Sequence, residues 1–263
     1  MERKLGIISE CLQGVPATEA SPLIKEAGFD CYFTGIYQPN EVEKVKKVGD
    51  NLGLSCDFIH APFKGINNMW LAGMDYLDID RKMKTSIDAA AACGIPTVIA
   101  HLSSGWKAPE ITDLGLARFD ALVEYADARK VNIAVENLRK IGNLAYFVDR
   151  YENMPYVGYC YDFGHEHCYT KTVSWMDIFC KKVIATHIHD NFGRGEEKTE
   201  ISPDTHLLPF EGNIDYARIM RKLDEYEFEG SLVLEVNNAR HREMSHQDFL
   251  ATCFERIQRI SKM

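Results

Sequence analysis

Three histidines, two glutamates and one aspartate stand at the ends of six successive apolar runs in this 263-residue chain. The runs read Asp57-Phe-Ile-His60, Val98-Ile-Ala-His101, Ile133-Ala-Val-Glu136, Tyr159-Cys-Tyr-Asp162, Ile184-Ala-Thr-His187 and Val233-Leu-Glu235. Singly, each polar residue is what commonly ends a strand: a turn former, a helix cap or a first solvated side chain. Six at comparable positions point to one site, because clustered His, Asp and Glu mark metal or catalytic centres. Imidazole with carboxylate suits a divalent cation, Zn²⁺ or Mn²⁺ first, with Mg²⁺ or Co²⁺ within range. Two motifs add to the set. Asp162-Phe-Gly-His165 places an imidazole just beyond a carboxylate, and His187-Ile-His189-Asp190-Asn191 leads into a polar loop carrying Asp204 and His206. His187 and His189 are two apart and share a face of any strand, so parity does not choose between them as ligands.

The elements that must carry these residues alternate from end to end. Strand candidates are Leu5–Ser9, Cys31–Gly35, Ser55–His60, Thr97–His101, Asn132–Glu136, Gly158–Asp162, Val183–His187 and Leu232–Val236. Helix-period stretches lie between or after them, among them Glu41–Asn51, Leu116–Arg129, Asp215–Tyr226 and Ser245–Ser261. Gly28, Gly53, Gly94 and Gly230 are placed as helix C-caps, and Thr112 and Ser174 as helix openers. Eight β-then-α units predict a parallel sheet covered by helices. At about thirty-three residues per unit they predict a closed (β/α)₈ TIM barrel, in which catalytic groups ring the C-terminal mouth. No Gly-x-Gly-x-x-Gly follows the first strand to favour a doubly wound sheet, and no linker divides residues 1–263, so one domain is expected.

Composition narrows the function classes. With 46% apolar and 26% charged residues the chain has a core to bury and is not disordered. No run approaches eighteen apolar residues, which argues against a membrane span, and the N-terminus goes straight into a strand without a secretory pattern. The formal net charge of −9 argues against a nucleic acid partner. Eight cysteines without any Cys-x-x-Cys read as reduced thiols, and a cytoplasmic location is expected.

In order and spacing, His60-Ala-Pro, Val135-Glu136-Asn137, Asp162-Phe-Gly-His165, His187-Ile-His-Asp190-Asn, His206-Leu-Leu-Pro-Phe-Glu-Gly-Asn-Ile-Asp215 and Leu232-Val-Leu-Glu235 resemble the xylose-isomerase-like TIM-barrel superfamily. That superfamily holds sugar and sugar-phosphate isomerases and epimerases, inosose and dehydroshikimate dehydratases, and the endonuclease IV family. The resemblance implies a metal centre of Glu136, Asp162, His187 and Glu235, which makes His187 the ligand and leaves His189 to orient a ligand or touch substrate. His165 matches the position that binds a sugar hydroxyl in epimerases. In endonuclease IV the counterparts of His60, His101, His165, Asp204 and His206 hold further zinc ions, so these five are a second candidate metal or substrate set.

The activity implied is divalent-metal-dependent isomerisation or epimerisation of a sugar or sugar phosphate. It proceeds by proton abstraction next to a carbonyl through a metal-stabilised enediolate, with Glu136 and Glu235 as acid/base pair. The alternatives are a dehydratase or lyase of a cyclic polyol or keto acid, and an abasic-site endonuclease using zinc. Arg194 stands close to where ketose epimerases of the family carry an arginine, and Arg240 and Arg242 form a basic stretch able to hold an anion. Asn67, Asn68, Met69, Trp70 and Trp106 are expected to wall a small carbohydrate substrate, and homo-oligomerisation is left open.

Overall fold

Segments such as Thr97–Ala100 and Leu232–Leu234 are apolar on both sides, the pattern of parallel strands covered on each face, and both are buried throughout. The computed structural model describes residues 2–170, 172–194 and 203–263. Among these residues are eight strands: β1 (Leu5–Ile8), β2 (Cys31–Thr34), β3 (Ser55–His60), β4 (Thr97–Ala100), β5 (Asn132–Glu136), β6 (Val157–Asp162), β7 (Val183–His187) and β8 (Leu232–Leu234). The helices interleaved with them are α1 (Ala17–Glu26), α2 (Pro39–Leu52), α3 (Tyr76–Cys93), α4 (Asp113–Asp127), α5 (Ile141–Arg150), α6 (Phe163–Tyr169), α7 (Trp175–Phe179), α8 (Tyr216–Glu225) and α9 (His246–Ser261).

Neighbouring strands pair in parallel in the order β7-β6-β5-β4-β3-β2-β1-β8. The ring is nearly closed by a parallel bridge between Ile188 and Leu234. There the Ile188 N–H donates to the Val233 carbonyl at 2.8 Å and the Glu235 N–H donates to the Ile188 carbonyl at 2.9 Å. The architecture is a single (β/α)₈ barrel, and its closing bonds fall between two of the expected site residues.

Eight side chains from seven strands fill the barrel interior: Cys31 and Phe33 from β2, and Phe58, Ile99, Ala134, Cys160, Ala185 and Val233 from β3 to β8, form one buried cluster. Strand side chains repeat every two residues. Two positions further along the chain from the β3 to β8 members, about 6–7 Å toward the C-terminal mouth, the same inward column carries His60, His101, Glu136, Asp162, His187 and Glu235. The site is therefore the polar layer above an apolar plug, and the Phe33 ring stacks against His187 from below at 4.8 Å. The opposite faces of the strands pack against the helices in a larger core that includes Ile59, Val98, Ile133, Val135, Tyr161 and Leu234.

Helix ends follow local chemistry. Thr112 caps α4 by accepting from the Gly115 N–H, Ser245 caps α9 by accepting from the Asp248 N–H, and Ser174 directly precedes α7. Gly53 and Gly94 are left-handed C-caps of α2 and α3, while Gly28 lies one residue past the cap of α1 at φ 109°. Gly230 does not cap α8, because the left-handed residue there is Glu227 at φ 57°. What Gly230 accommodates instead is the Phe228 ring, 2.4 Å from where a Cβ would stand. Strand β8 stops at Leu234 rather than Val236, since it pairs fully with β1 but meets β7 only at the bridge. No described helix is long and apolar enough to cross a membrane, and the seven described cysteines are free thiols.

Candidate active site

At the centre of the polar layer lies Glu136, the last residue of β5, with its carboxylate buried among four imidazoles. His60 Nε2 and His101 Nε2 stand 3.2 and 2.7 Å from Oε2, and His165 Nδ1 and His187 Nδ1 each stand 3.2 Å from Oε1. Asp162 ends β6 and caps α6, its Oδ1 accepting from the His165 N–H at 2.6 Å. The same Oδ1 is 3.2 Å from His189 Nε2. Asn137 clamps this corner: its Oδ1 accepts from the Asp162 N–H at 2.7 Å and its Nδ2 donates to the Asp162 carbonyl at 2.9 Å. Glu235 approaches from beyond β8, with Oε2 3.3 Å from His187 Nδ1.

These side chains fall into overlapping groups, each with ligand atoms within 4.8 Å of one another: Glu136, Asp162, His187 and Glu235; His60, His101 and Glu136; His60, His187 and Glu235; and His165, His189, Asp204 and His206. The first is the four-residue set expected from the sequence. Ligands held at about 2.1 Å by a single ion stand about 3–3.5 Å from each other. Glu136 and Glu235 meet this against His187 at 3.2 and 3.3 Å, and Asp162 is slightly wide at 3.9 Å. A second observation supports the fit: Asp162 Oδ2 is buried without a hydrogen-bond partner, which is costly for a carboxylate unless a cation takes up the charge. His60 and His206 present Nε2 to the clusters. Their Nδ1 atoms lie 2.9 and 2.8 Å from the Ala61 and Glu235 carbonyls, which turns Nε2 toward the clusters.

The electrostatics are those of carboxylates and imidazoles forced together away from water. Burial works against the charged form of Glu136, but His101, His187 and His165 outweigh it and hold the carboxyl well below its usual range. Asp162 is likewise lowered against burial by His165 and His189. Burial opposes charge on His165 as well, yet Asp162, Glu136 and Asp204 raise it well above the ordinary imidazole value. For His187 burial is overcome by Cys160, Glu235 and Glu136, and for His206 by Asp204 and Glu235, which push it up to about 10. His101 goes the other way, lowered by burial despite Glu136.

Asp204 and His206 arrive on the β7–α8 loop. Asp204 Oδ2 lies 3.1 Å from His165 Nε2 and 3.3 Å from His206 Nε2. Residues 195–202 of this loop lie outside the described residues. Asp190, to which the sequence reading gave no role, holds the described part in place. Its carboxylate accepts from the N–H groups of Asn191, Phe210 and Ile214, and its backbone exchanges two hydrogen bonds with Leu207. Replacing Asp190 by alanine is expected to cost about 1–3 kcal/mol of stability, because three backbone N–H groups lose their acceptor. A lowered denaturation midpoint checks this.

His189 is fully buried and stacked on His206 at 3.9 Å. It fits only because residue 164 is glycine, where a Cβ would stand 1.9 Å from the His189 ring. Gly164→Ala is expected to displace that ring and cost about 1–3 kcal/mol of stability, read as a lowered denaturation midpoint.

The rim departs from expectation. Trp70 and Met69 are buried, the Trp70 indole donating to the Leu102 carbonyl. Asn67 exchanges two hydrogen bonds with the Ser104 backbone, and Asn68 donates to the Asp75 carbonyl. These residues support the wall instead of presenting it, because the 3₁₀ turn Ile66–Trp70 packs inward. Trp106 is 47% exposed and carries Arg194 at 5.0 Å from its ring. Arg240 is exposed on the turn Asn238–Arg240 and lines no part of the cavity beside the clusters, and Arg242 donates to Gln13. Sequence reasoning gave no role to Arg139 or Tyr169 and quoted Asn137 only within Val135-Glu136-Asn137.

Among solved structures, an L-ribulose 3-epimerase superposes with a TM-score of 0.76 at 15% identity, over 99% of this chain and 95% of that one. The IOLI protein with a bound zinc atom also gives 0.76, at 17% identity over 98% of each chain. The uncharacterized protein y4fM of Sinorhizobium fredii is 31% identical over 242 residues, 76% of this chain and 75% of that protein. A family model described as a xylose isomerase-like TIM barrel matches residues 22–253, a span that takes in every strand from β2 onward and every ligand of the clusters, and the chain belongs to that family.

Proposed function

We propose that this protein is a divalent-metal-dependent isomerase or epimerase of a small sugar or sugar derivative, acting by proton transfer at a carbon next to a carbonyl. The observation that carries the reading is the convergence of Glu136, Asp162, His187 and Glu235 above the barrel plug. These four would hold the cation. When bound, it supplies Lewis acidity that stabilises negative charge developing on substrate oxygens, without which a carboxylate is too weak a base for this proton.

The chain's own groups divide the remaining work. The Glu235 side chain is 18% exposed and Glu136 only 1%, so Glu235 is the carboxylate that meets substrate from the mouth and takes or returns its proton. Glu136 stands across the layer from it as the other member of the pair. His165 and His101 line the adjoining cavity and are placed to hold a substrate hydroxyl. Similar solved structures include sugar epimerases, which supports carbohydrate as the substrate class. The free thiols support a reducing, cytoplasmic setting.

A second reading has its own observation. The His60/His101/Glu136 and His165/His189/Asp204/His206 groups adjoin the first, an arrangement suited to several cations and to phosphoester hydrolysis. The test is metal content per chain in protein purified without added metal or chelator, paired with solvent-deuterium exchange into ketoses, inososes and their phosphates. One ion with exchange supports the isomerase. Two or three ions with cleavage of abasic DNA and no exchange replaces it with the hydrolase.

A further inference from the structure

We infer that Phe63 is a positioning residue of the metal-ligand layer, its ring holding the His101 imidazole in line with Glu136. The inference rests on the metal layer of the proposed function and on no particular substrate. A ligand histidine is ordinarily oriented by a hydrogen bond at the ring nitrogen turned away from the cluster. His60 and His206 have such a bond, their Nδ1 atoms lying 2.9 and 2.8 Å from backbone carbonyls. His101 does not. Its Nε2 stands 2.7 Å from Glu136 Oε2, but its Nδ1 is buried and has no hydrogen-bond partner among the described residues. The second side-chain torsion of histidine has a broad minimum, so a ring without that bond swings unless its face is held. Phe63 holds the face: the two rings lie nearly parallel, with centres 4.2 Å apart and planes at 12°. Stacking of this kind favours the paired orientation over a tilted one.

Phe63 is itself fixed by the backbone that carries it. The Ala61 N–H donates to the Ile99 carbonyl at 2.9 Å, which ties the exit of β3 to the strand that leads to His101. Pro62 then restricts the chain through its ring, and the Phe63 carbonyl accepts from the Ile66 N–H at 2.9 Å. The side chain is thereby delivered across to the end of β4, and it also meets the His60 ring edge-on at 6.0 Å and 69°. Both imidazoles stand at the same oxygen of Glu136, 3.2 and 2.7 Å away, and the three form one ligand group. Phe63 therefore acts on the Glu136 carboxylate through a single intervening ring. With 44% of its surface exposed, it contributes little to the core, so an effect on the site is separable from an effect on folding.

The experiment is zinc titration, in competition with a chromophoric chelator, of metal-stripped wild-type, Phe63→Ala, Phe63→Leu and Phe63→Tyr proteins. Phe63→Ala is also made in a His101→Ala background, and the melting temperature of each stripped protein is recorded. Phe63→Ala is expected to weaken zinc binding by about 10-fold, the lower end of what loss of a ligand's outer partner costs, with the stripped melting temperature unchanged. Phe63→Tyr keeps the ring and is expected to bind as wild type does, whereas Phe63→Leu keeps only apolar cover and is expected to behave like Phe63→Ala. Without the His101 imidazole, Phe63→Ala is expected to change nothing further, the mark of action through that ring. Wild-type affinity in Phe63→Ala, recovery by leucine, an undiminished effect without His101, or a matching fall in stripped melting temperature overturns the inference. A crystal structure of stripped Phe63→Ala gives a reading that needs no metal. The His101 ring is expected to turn away from Glu136, and a ring that keeps its 2.7 Å contact overturns the positioning role. Wild type that takes up no zinc is the separate failure of the metal-dependent function, and the crystal structure then decides the role of Phe63 on its own.

Discussion

Replacing Glu136 by glutamine is expected to lower metal affinity by about 10²- to 10³-fold and to abolish turnover, with the barrel still folded. The magnitude follows from the geometry. Both oxygens of Glu136 face imidazoles, two on each side, at 2.7–3.2 Å. An amide offers one acceptor and one donor in their place and carries no charge. Removing one partner of a buried charged group costs about 3–5 kcal/mol, and here the carboxylate belongs to two ligand groups at once. Glu235→Gln is expected to abolish turnover too, but with a smaller loss of metal, since that side chain sits at the edge of the layer with its Oε2 3.3 Å from His187. Metal content, circular dichroism and deuterium exchange on the same preparations separate the two variants. If both retain exchange, the acid/base assignment is wrong.

The second large effect is expected on stripping the protein of metal. A resident ion present at a thousand times its dissociation constant stabilises by about 4 kcal/mol, which for a chain of this size is a fall of about 10 °C in melting temperature on chelation. The pH dependence has a definite sign. Without metal, His165 and His187 are raised well above the ordinary value and His206 is raised to about 10, so all three carry protons at neutral pH. Those protons stabilise the stripped fold fully below the unfolded imidazole value of about 6.5, and the contribution is lost as pH rises through the raised folded values. Of the three, His187 belongs to the proposed ligand set, and metal binding there requires a neutral imidazole and releases its proton. The gap in melting temperature between loaded and stripped protein is therefore expected to widen from about pH 6 to pH 9. Calorimetry in buffers of different ionisation enthalpy counts the protons released. A gap that narrows with rising pH excludes His187 as a ligand.

Much of the frame could be read along the chain because the relevant signals are local. A buried parallel strand needs a short apolar run and a helix needs a 3.6-residue period, so each of the eight strands lies within a residue or two of its expected bounds. The inward column was legible for the same reason: Ala134 and Glu136, Cys160 and Asp162, and Ala185 and His187 differ by the two-residue repeat of a strand. The rim was not legible. Trp70 reads like a sugar platform and is core, whereas Arg139, which no sequence motif singled out, is seated between two aromatic rings. Whether a loop side chain points in or out depends on the turn that carries it and the neighbour it meets.

The types and order of the site residues, the strand ends that present them and the closed alternation of the barrel were determined by the sequence itself, since each follows from the repeat of a single element. Tertiary structure alone decided that Glu136 stands among four imidazoles, that Asp190 holds the segment carrying Asp204 and His206 in place, and that Arg139 is seated between Trp106 and Tyr169 while Arg240 is exposed. Those contacts join residues dozens of positions apart, and their distances are set by how strands and loops from different units pack around one axis, which no local pattern encodes.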